Sequence, residues 1–456
     1  MLTGENKQQL VSKIDGVILQ AISNSRDVAQ VLNLAEHFGK FHWLNTTDRW
    51  AFPELERHVF QMVEPIIGDL VVPSERTRTL HVLSEGYDIG GHTPLCVNLI
   101  KEQKRRKEDV VLAITRQATK KIIDEVSDAS IPVIHPKGVG IEKLKSLCNI
   151  FLSSKSIVLH IHPDDIMAAL AAMIAERNGI HCHFVNHADL HFSYGPSSCS
   201  SILEITWASW ITSQKYRFPK SQSFLGIPSS TFNLEDLKKT GDTSIPSYPY
   251  FISVGGVQKY QLQQSNKFVD FVEHLCGTKN QNMVLVGPSD RTPFAHMTEQ
   301  AQKNLLLLGI QDRTQTLKLM AASQAYIDSF PEGGGTSVIN AMKMRLPVFG
   351  AKSKVGMYGD DYVSENTNDL KNAIDLFLEC GMPPSTLTER AKFVDEHFSI
   401  GACTDRLERT IAGESVQIPY QFDTDSIDLT YYQKRWLEHE KIYIPPFIKI
   451  NSPNSQ

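Results

Sequence analysis

The sequence predicts an α/β protein in which two domains, each built on a parallel sheet, face a cleft. Three observations predict this class. Short apolar runs alternate with longer helical segments, a polar stretch interrupts the alternation once, and 456 residues exceed the usual size of one domain. Such alternation is typical of right-handed βαβ units. We therefore expect ligands beyond the carboxyl ends of the strands.

The first half combines a helical extension with an α/β domain. Residues 1–74 predict the extension, because apolar residues such as Val28, Leu32 and Ala35 recur at helical spacing. Residues 75–240 predict the N-terminal domain. Its strand candidates are 80–83, 110–114, 131–134, 157–161 and 183–185, and its helix candidates are 94–107, 116–127, 140–151 and 165–178.

A polar linker at 240–247 precedes the second domain, predicted at 248–410. Its strand candidates are 250–254, 283–286, 305–308, 325–327 and 346–349, and its helix candidates are 263–276, 314–323, 337–344 and 386–397. Residues 411–456 lack the βα pattern and predict a tail that packs back across the domains, with a helix at 429–441.

The composition, 41% hydrophobic and 21% charged, is that of a globular protein, and the net charge of −5 argues against general nucleic-acid binding. Seven scattered cysteines without a Cys-x-x-Cys pair are typical of reduced thiols. The first 20 residues lack a signal-peptide pattern, and no uncharged apolar run of about 18 residues occurs. We therefore expect a cytoplasmic protein without a transmembrane helix.

The triple glycine is the most informative motif. Gly333, Gly334 and Gly335 follow an apolar run and precede a helical segment. Glycines leave room for a ligand and tolerate positive φ, while Thr336 or Ser337 can cap a helix whose free N–H groups attract anions. This segment predicts a diphosphate site. The alternative is a flexible loop before an ordinary capped helix.

Two glycine pairs occur at similar strand-to-helix joints. Gly90 and Gly91 would let the backbone approach a ligand, although a plain tight turn is equally consistent with them. Gly255 and Gly256 are followed by Lys259, whose ammonium group is a candidate partner for phosphate.

The prediction that Lys259 binds phosphate has two alternatives. Lys267 is a less favoured substitute for it, and either lysine is equally consistent with plain surface charge.

Histidines are concentrated in one region of the predicted N-terminal domain, at His160, His162, His181, His183, His187 and His191. We expect structural roles for most of them. His187 and Asp189 follow a strand end and are candidates to position a substrate hydroxyl or to move a proton. A metal site is the alternative, because His and Asp are normal metal ligands, but no spacing matches a known metal signature and no metal is predicted.

A basic run follows on the predicted 94–107 helix, formed by Lys101, Lys104, Arg105, Arg106 and Lys107. Such runs are usually solvated helix faces. The alternative is a docking surface for an anionic acceptor or for an anionic membrane leaflet, which would make the protein peripheral to a membrane.

These motifs resemble the "group 1" retaining family of GT-B glycosyltransferases over roughly residues 78–410. That family has a Glu-Gly-x-Gly-x4-Glu-Ala-Met pattern before a Gly-x-Pro-Val strand. The matching segments are 332–335, 340–342 and 345–348, and the first half is matched by 158–163 and 186–188.

The resemblance implies two Rossmann-like domains and transfer of a sugar from a UDP- or GDP-sugar to an acceptor hydroxyl, a hexosyltransferase reaction without a metal or cofactor. It implies that His187 contacts the donor sugar and that Glu332 holds sugar hydroxyls. Asn340 replaces the family's ribose-binding Glu. Ile310 follows the strand near which the base would stack.

Gly256 stands where the family has an Arg, so Lys259 is the candidate to neutralise phosphate. The Gly-Gly-Gly-Thr-Ser segment also resembles some inverting GT-B enzymes, in which Asp189 would be the base. A nucleotide-sugar epimerase of the same fold and a non-catalytic nucleotide-sugar-binding or assembly protein are the alternatives. The acceptor, a glycan, a lipid-linked glycan or another molecule, stays open.

Overall fold

The computed structural model describes residues 4–68, 70–88, 91–188, 190–238, 245–262, 267–353, 362–421 and 428–448. The chain divides into two compact units. Unit 1 contains 1–225, 404–418 and 429–456, and unit 2 contains 226–403 and 419–428. Unit 2 thus begins before the predicted linker, and parts of the predicted tail belong to each unit.

Unit 1 begins with the predicted helical extension, which forms three helices. They are α1 (Gly4–Asn24), α2 (Val28–Leu44) and α3 (Pro53–Ile67). Asp27 caps α2 by accepting the N–H of Ala29. Buried residues of α2 such as Val31, Ala35 and Phe38 belong to the same apolar core as one face of the following sheet.

The sheet of unit 1 has seven parallel strands in the order β3-β2-β1-β4-β5-β6-β7. The strands are β1 (Thr79–Gly86), β2 (Val110–Ala118), β3 (Val133–Ile134), β4 (Ser156–His160), β5 (His181–Asn186), β6 (Ser201–Glu204) and β7 (Gln222–Phe224). The helices between them are α4 (His92–Arg105), α5 (Lys120–Asp128), α6 (Gly140–Leu152), α7 (Ile166–Arg177) and α8 (Trp207–Tyr216). The predicted helix 116–127 starts too early, because β2 continues through residue 118.

Unit 2 has a sheet of six parallel strands in the order β10-β9-β8-β11-β12-β13. The strands are β8 (Phe251–Val254), β9 (Met283–Val286), β10 (Leu305–Gly309), β11 (Ala325–Ile327), β12 (Val348–Ala351) and β13 (Val363–Ser364). Its helices are α9 (Leu234–Leu237), α10 (Val257–Tyr260), α11 (Lys267–Val272), α12 (Glu299–Asn304), α13 (Arg313–Ala322), α14 (Thr336–Lys343), α15 (Thr367–Cys380) and α16 (Pro384–Phe398). The predicted α/β class with two parallel sheets is confirmed.

After unit 2 the chain returns to unit 1. Helix α17 (Ile400–Ile411) crosses the boundary, and α18 (Tyr431–His439) lies where the tail helix was predicted. Within the described ranges, no helix is long and apolar enough to cross a membrane.

Candidate functional site

In the sheet of unit 2, the order in which the chain adds strands reverses between β8 and β11. From β8 the chain adds β9 and β10 on one side and then crosses back to place β11 on the other. The segments after β8 and β11 leave the same edge, and the N–H of Glu332 donates to the carbonyl of Lys259 at 3.2 Å. Ligands of open parallel sheets bind at such a switch point. The structure therefore brings the predicted glycine loop and the predicted lysine together.

Asp328 organises the glycine loop, a residue that the sequence reasoning missed. Its Oδ1 accepts the N–H groups of Ser329 and Gly334, both at 2.8 Å. The N–H of Gly333 donates to Ser353 Oγ at 3.0 Å. These bonds correct the prediction that the triple glycine itself offers free N–H groups to a diphosphate, because the N–H groups of Gly333 and Gly334 are already paired within the protein.

The unpaired backbone N–H groups lie just after Gly334, at the start of helix α14. Helix α14 begins at Thr336 with Gly335 as its N-cap residue, and no side chain caps it. Thr336 and Ser337 are thus first-turn residues rather than the predicted caps. In the part of the chain that the structure describes, no acceptor pairs with the N–H groups of residues 335–337. A Cβ at Gly335 would meet no atom closer than Ile227 Cδ1, at 3.9 Å.

Lys259 lies against the glycine loop. Its Nζ donates to the carbonyl of Gly333 at 3.0 Å. Burial raises the pKa of Asp328 to about 7, against the opposing effects of the Lys259 charge and the two amide bonds. A cation and the first turn of a helix therefore meet at this edge of the sheet, and both favour an anion.

The side chains of Glu332 and Asn340, both predicted to bind the donor, differ in the hydrogen bonds that they make within the protein. Glu332 is buried, and Gln261 Nε2 donates to its Oε1 at 3.3 Å. Asn340 Oδ1 accepts the N–H of Ser230 and its Nδ2 donates to Ser230 Oγ, both at 2.8 Å. The amide of Asn340 is thus used to hold α14 to the start of unit 2. We assign it to packing rather than to a ribose.

The remaining predicted residues of unit 2 lie at the same sheet edge. The N–H of Gly255 donates to the carbonyl of Val286 at 3.1 Å, and Gly256 is exposed before α10. A Cβ at Gly287 would lie 1.9 Å from the Gly255 carbonyl oxygen, so β8 and β9 approach closely where they end. Ile310 follows β10 and is 78% exposed, which leaves an apolar surface available to a flat ring.

His187 follows β5 in unit 1 and is half-buried. Burial, and secondarily the charge of His92, holds its pKa well below the usual range, so the imidazole is neutral. The rings of His92 and His187 meet edge to face at 4.5 Å. Gly91 is the N-cap of α4, with open space around its Cβ position. The predicted residues Gly90 and Asp189 lie outside the described residues.

Two further histidines accompany His187. His160 Nδ1 lies 3.1 Å from His187 Nε2, and His160 Nε2 lies 3.2 Å from His81 Nδ1. The ligand atoms of His81, Cys96 and His160 lie within 4.8 Å of one another and could hold a metal ion. The facing histidine nitrogens are, however, already at hydrogen-bonding distance. His81 and its partner Gln103 were missed in the sequence, although alternation along β1 places His81 on the α4 face of the sheet.

The basic run is largely paired. Lys101 contacts Glu125 at 3.1 Å, Arg105 contacts Glu102 at 2.6 Å, and Arg106 contacts Glu102, Asp405 and Glu408 at 3.1, 2.6 and 2.8 Å. These ion pairs favour the solvated-face interpretation over an anion-docking surface. Contact of the whole basic run, Lys101, Lys104, Arg105, Arg106 and Lys107, with an anionic membrane or acceptor stays a prediction.

The comparisons with known proteins establish the fold. No protein-family model matches the sequence, and no curated protein matches it. Anabaena HepE in complex with UDP covers 74% of this chain and all of its own length, with 15% identity and a TM-score of 0.56. A glycosyltransferase from Rickettsia africae covers 74% of this chain and 99% of its own, with 13% identity and a TM-score of 0.55.

A mutant O-GlcNAc transferase from Thermobaculum terrenum is similar over 87% of this chain and 81% of its own length. Its identity is 13% and its TM-score 0.52. These are GT-B structures, and this chain has the GT-B fold.

Proposed function

We propose that the protein transfers a sugar from a nucleoside-diphosphate sugar to an acceptor hydroxyl. The observation that carries the proposal is the meeting of Lys259 with the uncapped start of α14 at the switch point of unit 2. The similar structure of HepE holds UDP, and a second HepE structure, with a TM-score of 0.54, holds UDP-glucose. Both support a UDP-sugar as the donor.

The chemistry follows from where charge develops. As the sugar–phosphate bond breaks, negative charge grows on the leaving diphosphate. The N–H groups of residues 335–337 and the Lys259 ammonium are fixed beforehand and stabilise this charge without reorganising. In this proposal no metal is required. Glu332 holds sugar hydroxyls and Ile310 packs on the base. From unit 1, His187 offers a hydrogen-bond acceptor to a substrate hydroxyl.

A single substitution tests the phosphate site. Gly335→Val places a side chain in the open space beside the free amides, so we expect the affinity for UDP to fall about tenfold or more while the melting temperature changes little. Gly16→Val is the control, since Gly16, at an exposed position on α1, likewise has open space around its Cβ position. Calorimetric titration with UDP measures both. Unchanged affinity in a folded Gly335→Val variant would show that the diphosphate binds elsewhere.

The products separate the three candidate activities. Release of UDP that requires an added acceptor supports transfer. Conversion of the donor's sugar without release supports the epimerase, and binding without either reaction supports an assembly protein.

A further inference from the structure

A row of hydrogen-bonded side chains crosses the sheet of unit 1 from its interior to its carboxyl edge. Gln103 of α4 begins the row, with its Oε1 2.7 Å from His81 Nε2. His81 Nδ1 meets His160 Nε2 at 3.2 Å, and His160 Nδ1 meets His187 Nε2 at 3.1 Å. The row thus joins β1, β4 and the end of β5.

The row is closed to water at its inner end and open at its outer end. Gln103 is 1% exposed, and His81 and His160 are 0% exposed. His187 is half-buried at the sheet edge. Among the residues that the structure places, none pairs with His187 Nδ1, which is not one of the buried unpaired atoms either. The outermost nitrogen of the row is therefore available to a ligand.

All three imidazoles are neutral. Burial lowers the pKa of His81 to about 4, despite the bond to Gln103. Burial also lowers the pKa values of His160 and His187 well below the usual range, and neighbouring histidines add to the effect. A neutral imidazole has one N–H and one lone pair, so each ring in the row can donate in one direction only.

The amide oxygen of Gln103 sets that direction. Because Oε1 can only accept, His81 carries its proton on Nε2 and has a lone pair on Nδ1. That lone pair requires a proton on His160 Nε2, and the lone pair on His160 Nδ1 in turn requires a proton on His187 Nε2. The proton on Nε2 leaves a lone pair on His187 Nδ1.

We propose that Gln103, His81 and His160 are positioning residues that fix His187 as a hydrogen-bond acceptor, and that His187 Nδ1 receives the hydrogen of a substrate hydroxyl. A lone pair repels phosphate and carboxylate oxygens, so the group bound here is a hydrogen-bond donor, and on a sugar that donor is a hydroxyl. The contact with a substrate hydroxyl rests on the proposed function, whereas the assignment of the tautomers is independent of it.

The tautomers can be measured directly. Two-bond ¹H–¹⁵N spectra of ¹⁵N-histidine-labelled protein distinguish Nδ1–H from Nε2–H, and His81→Gln, His160→Gln and His187→Gln variants assign the signals. We expect Nε2–H for all three histidines. An Nδ1–H signal from His187 would overturn the proposal. So would a stoichiometric metal whose removal shifts the signals of His81 and His160, because a metal would replace their shared proton.

Substitutions at Gln103 test its control of the row. Gln103→Glu keeps an acceptor, and we expect the Nε2–H tautomers to persist. Gln103→Met removes the acceptor at similar volume, and we expect Nδ1–H forms to appear in all three rings. Cys96→Ala is the control, because it changes packing beside His81 and His160 without entering the row. Unchanged tautomers in Gln103→Met would contradict the role of Gln103.

Ligand titration then separates this proposal from the proposed function. We expect UDP-glucose to shift the Nδ1 signal of His187 and UDP alone to leave it unchanged. For transfer, we expect Gln103→Met to lower kcat about fivefold, the effect of one ordinary hydrogen bond, while KM for the donor changes little. Shifts with UDP alone would contradict the hydroxyl contact. If neither nucleotide binds, the proposed function and the hydroxyl contact both fail, although the measured tautomers still decide the role of Gln103.

Discussion

Asp328 and Lys259 hold the glycine loop from both sides. The carboxylate accepts N–H groups of Ser329 and Gly334, and the ammonium binds the carbonyl of Gly333. A Cβ at Gly334 would lie 2.6 Å from Asp328 Oδ1, so only glycine fits there. The loop is therefore a fixed structure that aims the start of α14 rather than a flexible linker.

Lys259→Met tests whether the ammonium stabilises the leaving group. The methionine keeps the apolar stem and removes the charge, so we expect kcat for transfer to fall about 10²- to 10³-fold. Lys267→Met is the control, because Lys267 is exposed at the start of α11. Steady-state kinetics with UDP-glucose measures both variants. Equal loss in both would show that net charge, rather than the position of Lys259, matters.

The glycine loop and Lys259 could be predicted from the sequence because each is recognised from the residues next to it. The sequence does not reveal the hydrogen-bond partners of the Gly333 N–H and of the Asn340 side chain. Ser353 is 20 residues from Gly333, and Ser230 is 110 residues from Asn340. Such pairs depend on how distant segments pack, which local patterns do not encode.

At the scale of elements, strands with continuous apolar runs are predictable. The run Met283–Val286 matches β9, and Ala325–Ile327 matches β11. Strands β6, β7 and β13 have two to four residues and mixed polarity, so no period identifies them. They pair because neighbouring strands provide an edge.

Glu56 joins α3 to the segment that precedes β6. Its Oε2 accepts from Ser198 Oγ at 2.6 Å and from the N–H of Gly195 at 3.4 Å, whereas Oε1 is buried without a partner. Burial raises the pKa of Glu56 to about 7, although these bonds oppose the shift. The neutral acid is therefore the form that the fold favours.

A pH titration of stability follows from this carboxyl group. Since its pKa is higher in the folded than in the unfolded protein, its contribution is complete below about pH 4.5 and is lost as the pH rises through about 7. The full change is about 3 kcal/mol. We expect Glu56→Gln to weaken the fall in the free energy of unfolding between pH 5 and 8, as measured by urea denaturation. Glu54→Gln, an exposed site on α3, should follow the wild type, and parallel curves for all three proteins would exclude this role of Glu56.

At the scale of the whole molecule, unit 1 joins residues that are far apart in the chain. Lys7 Nζ donates to the carbonyls of Trp436, Leu437 and Glu440 at 2.9, 2.7 and 2.6 Å. The side chain of Asn45 bonds the backbone of Tyr443 twice. The amide of Phe224 in β7 donates to Val416 at 2.8 Å.

Lys7→Met tests the attachment of α18. The substitution removes the ammonium donor from three carbonyls at the end of α18, of which, in the described part of the chain, only that of Trp436 keeps another donor, the N–H of Glu440. We therefore expect a loss of about 2 kcal/mol and a melting temperature lower by roughly 4–8 °C. Limited proteolysis should then cut beyond residue 428 first. Lys13→Met, at an exposed position on α1, is the control. Equal protease resistance in both variants would show that α18 does not depend on Lys7.

The return of the chain to unit 1 sets an order for biosynthesis. A ribosome makes residues 226–403 before it reaches α18, so the second sheet can form on the nascent chain while the first still lacks its last helix. A product that stops short of residue 431 lacks α18, whose Trp436 is buried in the complete protein, and so carries an incomplete unit 1 that chaperones and proteases can bind. We therefore expect truncated translation products to be recognised through unit 1, although it contains the start of the chain, rather than through unit 2.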